Sequence, residues 1–249
     1  MLIEPEGRGG SKLMHRIFEQ GRRVFVSKPI NHFGLETQSN LSFLFGGGIG
    51  VTPMIAFAHE LDRAGRDFKM MYSASRLDSA AFDGDFAAQP WAAKTSKHYS
   101  DQGSRLDIAV AVPPYAPGVH IYVCGPDAYM SAILGHARAI GYPDAALHAE
   151  FFAVPDMLDW VNLPFEIERS NGQKLAVNAD QSASDALIAA GIPVDVKCSD
   201  GLCGVCKCTV IAGEVEHRDF VLSAAQRETT IILCQSRALQ ENGVLILDI

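Results

Sequence analysis

The sequence predicts an α/β fold built on a doubly wound parallel sheet, with a smaller α+β module after it. Three observations carry that reading. Between residues 37 and 152, short apolar runs alternate with helical stretches, the pattern of βα units laid side by side. A glycine-rich turn, residues 46–50, joins the first strand of the series to its helix. After residue 164 the texture changes to short strands, one helix and a group of cysteines.

Residues 41–45 form a short apolar run, as a parallel strand buried on both faces requires. Thr52 suits an N-cap and Pro53 the first helical position, so a helix is expected from there to about Arg63, with Gly65 just past its end. Residues 68–72 read as the second strand, and residues 79–88 as the start of a second helix. Residues 119–123 read as a strand, followed by Cys124-Gly125-Pro126 and a helix to about Ile140 that Gly141 and Pro143 stop. A strand over 148–152 closes the series.

Residues 153–163 lack periodicity and are punctuated by Pro155, with Pro164 next, so they read as a linker, with Trp160 packing it against one neighbour. Beyond it, residues 165–169 and 174–177 flank Asn171-Gly172, a strong hairpin signal. Ser182-x-x-Asp185 opens an apolar helix over 186–190 as a capping box with Asp in place of Glu. Gly191 ends it, Pro193 follows, and residues 207–211 read as a strand. The expected segments are thus 1–36, 37–152, a linker at 153–163, and 164–249.

Composition narrows the function. At 249 residues the chain has room for one large domain or two smaller ones, and its 48% hydrophobic and 20% charged residues are ordinary for a globular protein. No apolar run approaches the roughly 18 residues of a membrane span. The first six residues lack the pattern of a secretion signal, which points to the cytoplasm, where thiols stay reduced and can hold metal. A net charge of −8 argues against a nucleic-acid partner. Residues 164–249 carry 12 acidic against 7 basic side chains, which suits docking to a basic protein surface and equally suits plain solubility.

Of six cysteines, Cys198, Cys203, Cys206 and Cys234 fit C-x4-C-x2-C followed by a distant fourth, the plant-type ferredoxin spacing for a [2Fe–2S] cluster. Four thiolates around two irons and two sulfides leave a net negative site, tolerable only where backbone N–H groups point at sulfur. Glycines at 201 and 204 let the loop wrap tightly enough to supply them. Cys208 is read as a packed thiol and not a ligand. A zinc site would ordinarily pair two C-x2-C knuckles, and only one is present. With the hairpin and the capped helix, the segment resembles the ferredoxin family over its whole length, which implies a β-grasp fold.

Gly47, Gly48 and Gly50 lie in the turn between strand and helix, where a pyrophosphate can approach the backbone and the helix N-terminus favours its charge. The run is not the G-x-G-x-x-G fingerprint. Near the end of the second strand, Asp78 suits ribose hydroxyls and hence NADH, while Ser75-Arg76 suits a 2′-phosphate, so NADPH stays an alternative. Gly-Gly-Gly-Ile-Gly-Val-Thr-Pro followed downstream by Cys-Gly-Pro is similar to the nicotinamide module of the ferredoxin–NADP reductase superfamily. That resemblance implies that Thr52 and Cys124 sit at the reacting ring and that Gly125 allows its close approach.

A nicotinamide gives up two electrons at once and a [2Fe–2S] cluster takes one, so the two modules call for a flavin between them. A nicotinamide module followed by a C-terminal ferredoxin resembles the phthalate dioxygenase reductase family, which includes vanillate demethylase reductases. The resemblance implies an FMN-binding barrel at the N-terminus. Residues 1–36 resemble its last part, with Gly9, Gly10 and Ser11 holding FMN at a helix start, a final strand over 22–27 and an exit over 29–35. His148-x-Glu150-x-Phe152 resembles the segment whose aromatic covers the flavin, here Phe152. The family's first flavin motif, Arg-x-Tyr-Ser, is absent and Met1 falls inside the expected barrel, so a fragment or late start is expected. The implied function is the reductase of a multicomponent oxygenase, passing electrons from NADH through FMN and the cluster to a Rieske-type partner. The alternative is a flavin-less electron carrier whose nucleotide fold is a scaffold.

Overall fold

The computed structural model describes residues 9–26, 28–29, 31–154 and 160–249. Contacts divide the chain into two units that meet in sequence between His32 and Phe33. In the first unit, helix α1 (Gly10–Ile17) follows Gly9, whose φ of 89° is left-handed. Ser11 therefore stands at a helix start, in the first turn. The strand expected over 22–27 does not form among its described residues, and Ser27 lies outside them. Phe25 and Val26 are exposed, and a strand without a ladder partner has nothing to hold it.

The second unit begins with the parallel sheet. Its elements are β1 (Leu41–Gly47), α2 (Val51–Arg63), β2 (Asp67–Ala74), β3 (Thr95–Tyr99), α3 (Ile108–Ala111), β4 (Val119–Cys124), α4 (Asp127–Ala139) and β5 (Leu147–Glu150). The strand order is β3-β2-β1-β4-β5, parallel throughout. Strand side chains alternate between faces. Leu44, Met70, Tyr72 and Tyr122 pack with Met54, Phe57 and Leu61 of α2. Phe43, Phe45, Met71, Ile121 and Val123 pack with Met130, Ile133 and Ala137 of α4. Both faces are covered, which is why the strands read as unbroken apolar runs.

Two expectations need correction. Helix α2 starts at Val51 with Gly50 as its N-cap, so Thr52 is not the cap. A 3-10 turn, Gly48–Gly50, runs straight into the helix and leaves no extended residue for a side-chain cap; the Thr52 hydroxyl donates instead to the Ile49 carbonyl at 2.9 Å. No α-helix forms over 79–88. The chain makes two 3-10 pieces, Leu77–Ser79 and Asp83–Ala88, separated by Phe82 at φ 66°. Asp83 is held there by Lys97 at 2.7 Å and by the Tyr99 hydroxyl, so tertiary bonds to β3 override the local helical pattern.

On the α2 side, Tyr122 stacks on His148 (4.5 Å, 13°), and His120 Nδ1 meets His148 Nε2 at 2.9 Å. The Tyr122 hydroxyl accepts the Glu36 N–H at 2.7 Å, tying the chain entering the sheet to its centre.

The second module contains β6 (Phe165–Arg169), β7 (Lys174–Val177), α5 (Ala183–Ala189), β8 (Lys207–Ala212), β9 (Val215–Glu216), α6 (Ala224–Arg227), β10 (Thr230–Ile232), β11 (Arg237–Ala238) and β12 (Val244–Leu247). Its sheet runs β10-β8-β12-β6-β7, with β6 and β12 parallel and the other pairs antiparallel; β9 and β11 form a separate ribbon. Ala183, Ala186 and Leu187 of α5 pack with Ile167, Leu245 and Leu247, the helix-across-sheet arrangement of a β-grasp. The capping box is present: Ser182 Oγ accepts from the Asp185 N–H at 3.1 Å and Asp185 Oδ2 accepts from the Ser182 N–H at 3.0 Å.

Two buried arginines tie the preceding segment to this module. Arg237 donates to the carbonyls of Leu163, Gln181 and Asn178, and Arg218 to Val161 O and Asn162 Oδ1. Among the described residues no helix is long and apolar enough to cross a membrane.

Burial, with the charge of His120 adding to it, pushes His148 down to about 4, so it is neutral at pH 7. An unfolded histidine titrates near 6.5. The unfolded chain therefore binds the proton first, and this contribution is intact above about pH 6.5 and lost as pH falls toward 4. The urea midpoint should drop between pH 7 and 5, and His148→Gln should flatten that dependence. Ser182→Ala should cost about 1 kcal/mol in the same unfolding experiment.

Candidate functional site

Two sites can be built from these elements. The first lies at the carboxyl ends of β1, β2 and β4, where ligands bind in open α/β sheets. The turns after β1 and β4 press together there. A Cβ on Gly50 would stand 2.3 Å from the Cys124 carbonyl oxygen, and one on Gly47 would stand 2.9 Å from Pro126 and from Tyr129. Gly125 has Gly47 Cα 2.9 Å from where its own Cβ would be. Only glycine permits this approach, and it brings the N-terminal end of α2 beside the β4–α4 turn.

A cavity of about 580 Å³ opens beside the turns, lined by Gly47, Gly48, Ser73–Ser75, Ser79, Pro126 and Tyr129, with Arg105, His98 and Ser104. No carboxylate is among its lining residues, and an arginine is, which suits an anionic ligand. Ser73 Oγ and Tyr129 Oη are buried without a hydrogen-bond partner of sound geometry among the described residues, though close enough to influence each other. Unsatisfied hydroxyls in a cavity wall fit the oxygens of a nucleotide.

The sequence-expected residues divide. Gly47 and Gly48 line the cavity; Gly50 and Gly125 form its packed back; Thr52, Asp78 and Cys124 are outside the lining. Asp78 and Arg76, the two rivals for the ribose, bind each other: Arg76 Nε to Oδ1 at 2.9 Å and Nη2 to Oδ2 at 2.7 Å. Cys124 is buried, and that burial, with the negative charge of Glu150, pushes its thiol up to about 12. It is an uncharged thiol at neutral pH. Glu150 stands opposite it in the β4–β5 register, and its own burial raises its carboxyl. Phe152 is half exposed.

Reading the sequence missed Ser73, Tyr129, Arg105 and Glu150. Glu150 had a signal, since the ends of adjacent parallel strands must meet. Arg105 had none, because it follows β3, a strand too polar to be recognised.

The second site is the loop from Cys198 to Cys206 with Cys234. None of the chain's cysteines is in a disulfide. The four sulfurs gather as two contacting pairs, Cys198 with Cys203 and Cys206 with Cys234. Among the described residues no group of three or more His, Cys, Asp or Glu is placed to hold a single metal ion. Two pairs are what a two-iron cluster takes, two thiolates to each iron.

The surrounding electrostatics favour thiolate. Burial alone would raise Cys198, but the N–H of Asp200 (3.4 Å), the Cys203 thiol and the N–H groups of Leu202 and Cys203 outweigh it, and its thiol is lowered. The hydrogen bond from Cys234 brings Cys206 down to about 6, and N–H groups of Cys234, Cys206 and Leu233 assist against burial. Cys234 keeps its proton through that same bond, and the Gly201 N–H also reaches its sulfur. Gly201 has φ 70°, and its Cβ would lie 3.1 Å from the Arg218 carbonyl, so the loop needs glycine there. Cys208 lies on β8 with its sulfur near Thr209 O and Asp248 O, apart from the pairs.

Residues 165–239 match the 2Fe-2S iron-sulfur cluster binding domain family. Across its whole length the chain is 39% identical to the vanillate O-demethylase oxidoreductase of Pseudomonas sp. (strain HR199 / DSM 7063), of which it covers 80%. It is 31% identical to the phthalate dioxygenase reductase of Burkholderia cepacia, covering 99% of this chain and 76% of that one. The chain belongs to the phthalate dioxygenase reductase family. A solved phthalate dioxygenase reductase, described as a modular structure for electron transfer from pyridine nucleotides to [2Fe–2S], superposes on 99% of the chain with TM-score 0.64 and 31% identity, over 77% of that chain. An intact type IV self-sufficient cytochrome P450 monooxygenase matches 99% of the chain with TM-score 0.88 and 33% identity, over 32% of its own length. Within the family match all four paired cysteines fall inside residues 165–239.

Gly50→Ala should cost about 1–3 kcal/mol in urea unfolding, because its methyl group has only backbone to push against. It should also weaken nucleotide binding by separating the two turns, which titration with ADP-ribose measures.

Proposed function

We propose that this chain is the reductase of a multicomponent oxygenase or demethylase, drawing electrons from NADH and passing them through FMN and a [2Fe–2S] cluster to a Rieske-type oxygenase. The observation that carries this reading is one chain holding two cysteine pairs wrapped in backbone donors and a nucleotide-sized cavity at the end of a parallel sheet. The vanillate demethylase and phthalate dioxygenase relatives support it by name and by length covered.

Each part has a role. The N–H groups at the start of α2 and the backbone of Gly47 and Gly48 hold the diphosphate, since a helix N-terminus favours negative charge. Ser73 and Tyr129 supply hydroxyls to the nucleotide. Cys124 and Thr52 orient the nicotinamide: Cys124 is uncharged, so it adds no charge beside a ring that must give up hydride. In the first unit, Gly9, Gly10 and Ser11 stand at the start of α1, where a helix N-terminus favours negative charge such as the phosphate of FMN. Phe152, half exposed, is the candidate cover for the flavin ring.

Cys198, Cys203, Cys206 and Cys234 hold the irons, and the Asp200, Leu202, Cys203 and Gly201 N–H groups stabilise negative charge on their sulfurs. When bound, FMN accepts electrons as a pair and the cluster takes them one at a time. The acidic module, 12 acidic against 7 basic side chains over 164–249, suits a basic patch on the oxygenase. A cluster held by reduced thiols suits the cytoplasm.

Anaerobically prepared protein should contain about two irons and two sulfides per chain. Serine at position 198, 203, 206 or 234 should abolish the cluster absorbance, and Cys208→Ser should leave it intact. NADH, with FMN supplied, should bleach the cluster bands. Iron and sulfide both absent from material with intact thiols would end the proposal.

A further inference from the structure

The segment after β5 contains adjacent phenylalanines, and the proposed function uses only Phe152. Phe151 takes a different course. Its ring packs onto the α4-side core of the parallel sheet and lies 4.7 Å, centroid to centroid, from Phe220 of the cluster module. Trp160 joins from the intervening segment, 6.2 Å from Phe220, with the Arg218 guanidinium 5.4 Å from its ring.

Phe220 is firmly held at its other end. Its N–H donates to the Gly201 carbonyl at 3.1 Å, and the Gly201 N–H reaches the Cys234 sulfur. Asp219, fully buried, accepts from the Val221 and Leu222 N–H groups at 3.2 and 2.8 Å and fixes the turn on which Phe220 sits. The residue thus meets with its ring a phenylalanine seated on the core of the nucleotide-binding sheet, and the cysteine loop with its backbone.

We propose that Phe220 is a positioning residue: with Phe151 it forms the joint that seats the cluster module against the nucleotide-binding sheet. Domains joined by a short segment move relative to one another unless an apolar contact holds them, and electron transfer falls steeply with distance. The joint's consequence for electron delivery rests on the functional reading above; its existence does not.

The test compares full-length wild type with Phe151→Ala, Phe220→Ala, the double variant and Phe220→Tyr. Thermolysin cleavage within residues 160–163 should speed up by roughly three- to tenfold in each alanine variant, since an aromatic pair is worth about 0.5–1.5 kcal/mol and cleavage follows the open population. The double variant should fall short of the product of the two single effects, because both remove the same contact. Cluster reduction by NADH with FMN should slow in the alanine variants, while reduction by dithionite, iron content and ADP-ribose binding stay at wild-type values. Phe220→Tyr should restore both rates. Wild-type cleavage in Phe151→Ala, or additive effects in the double variant, would overturn the joint. Should Phe220→Ala shed iron, Phe151→Ala, whose ring packs in the other domain, decides alone. Wild type without iron defeats the functional reading, and the cleavage comparison still decides the joint.

Discussion

Sulfur anions brought together in a partly buried loop repel one another and lose their water. What makes such crowding tolerable is a set of N–H donors aimed at them before any metal arrives. The loop from Cys198 to Cys206 is bent for that purpose, with φ positive at Ser199, Gly201 and Gly204. The bend is braced from behind by the turn carrying Arg218, Asp219 and Phe220. Most of the C-terminal module follows from this need. The hairpin, the capped helix and the parallel pair of β6 and β12 form the core on which the loop and Cys234 are mounted.

The nucleotide-binding half meets the opposite requirement. There the backbone must be open to an anion, and glycines do it by letting two turns pack closer than any side chain allows. Cys124 is buried there beside Glu150, so the residue proposed to orient the nicotinamide is a neutral thiol. Hydrogen bonding then settles Asp78 and Arg76 on each other.

Much of this was legible in the sequence, and the parts that were not share a cause. Spacing alone marked the four cysteines, and Asn171-Gly172 and the Ser182–Asp185 box fixed the hairpin and helix because each is a local device. The buried strands β1, β2 and β4 announced themselves as apolar runs. Strand β3 did not: Thr-Ser-Lys-His-Tyr is polar, and an edge strand is ordered by its neighbour's ladder and not by its own composition. The 3-10 segment over 83–88 read as helix because its two tethers, Lys97 and Tyr99, come from that unrecognised strand. Thr52 carried the right signal for a cap and lost it to the Gly48–Gly50 turn. Phe220 carried no signal, since its importance comes from a ring distant in sequence.

The pairing of β6 with β12 bears on how the protein is made. Residues 165–169 have β7 beside them in sequence, but the parallel ladder on their other edge waits for residues 244–247. Every cysteine of the loop, and Cys234, leaves the ribosome ahead of the strand that closes their sheet. Each nascent copy therefore passes through an open stage with its thiols presented on unfinished architecture.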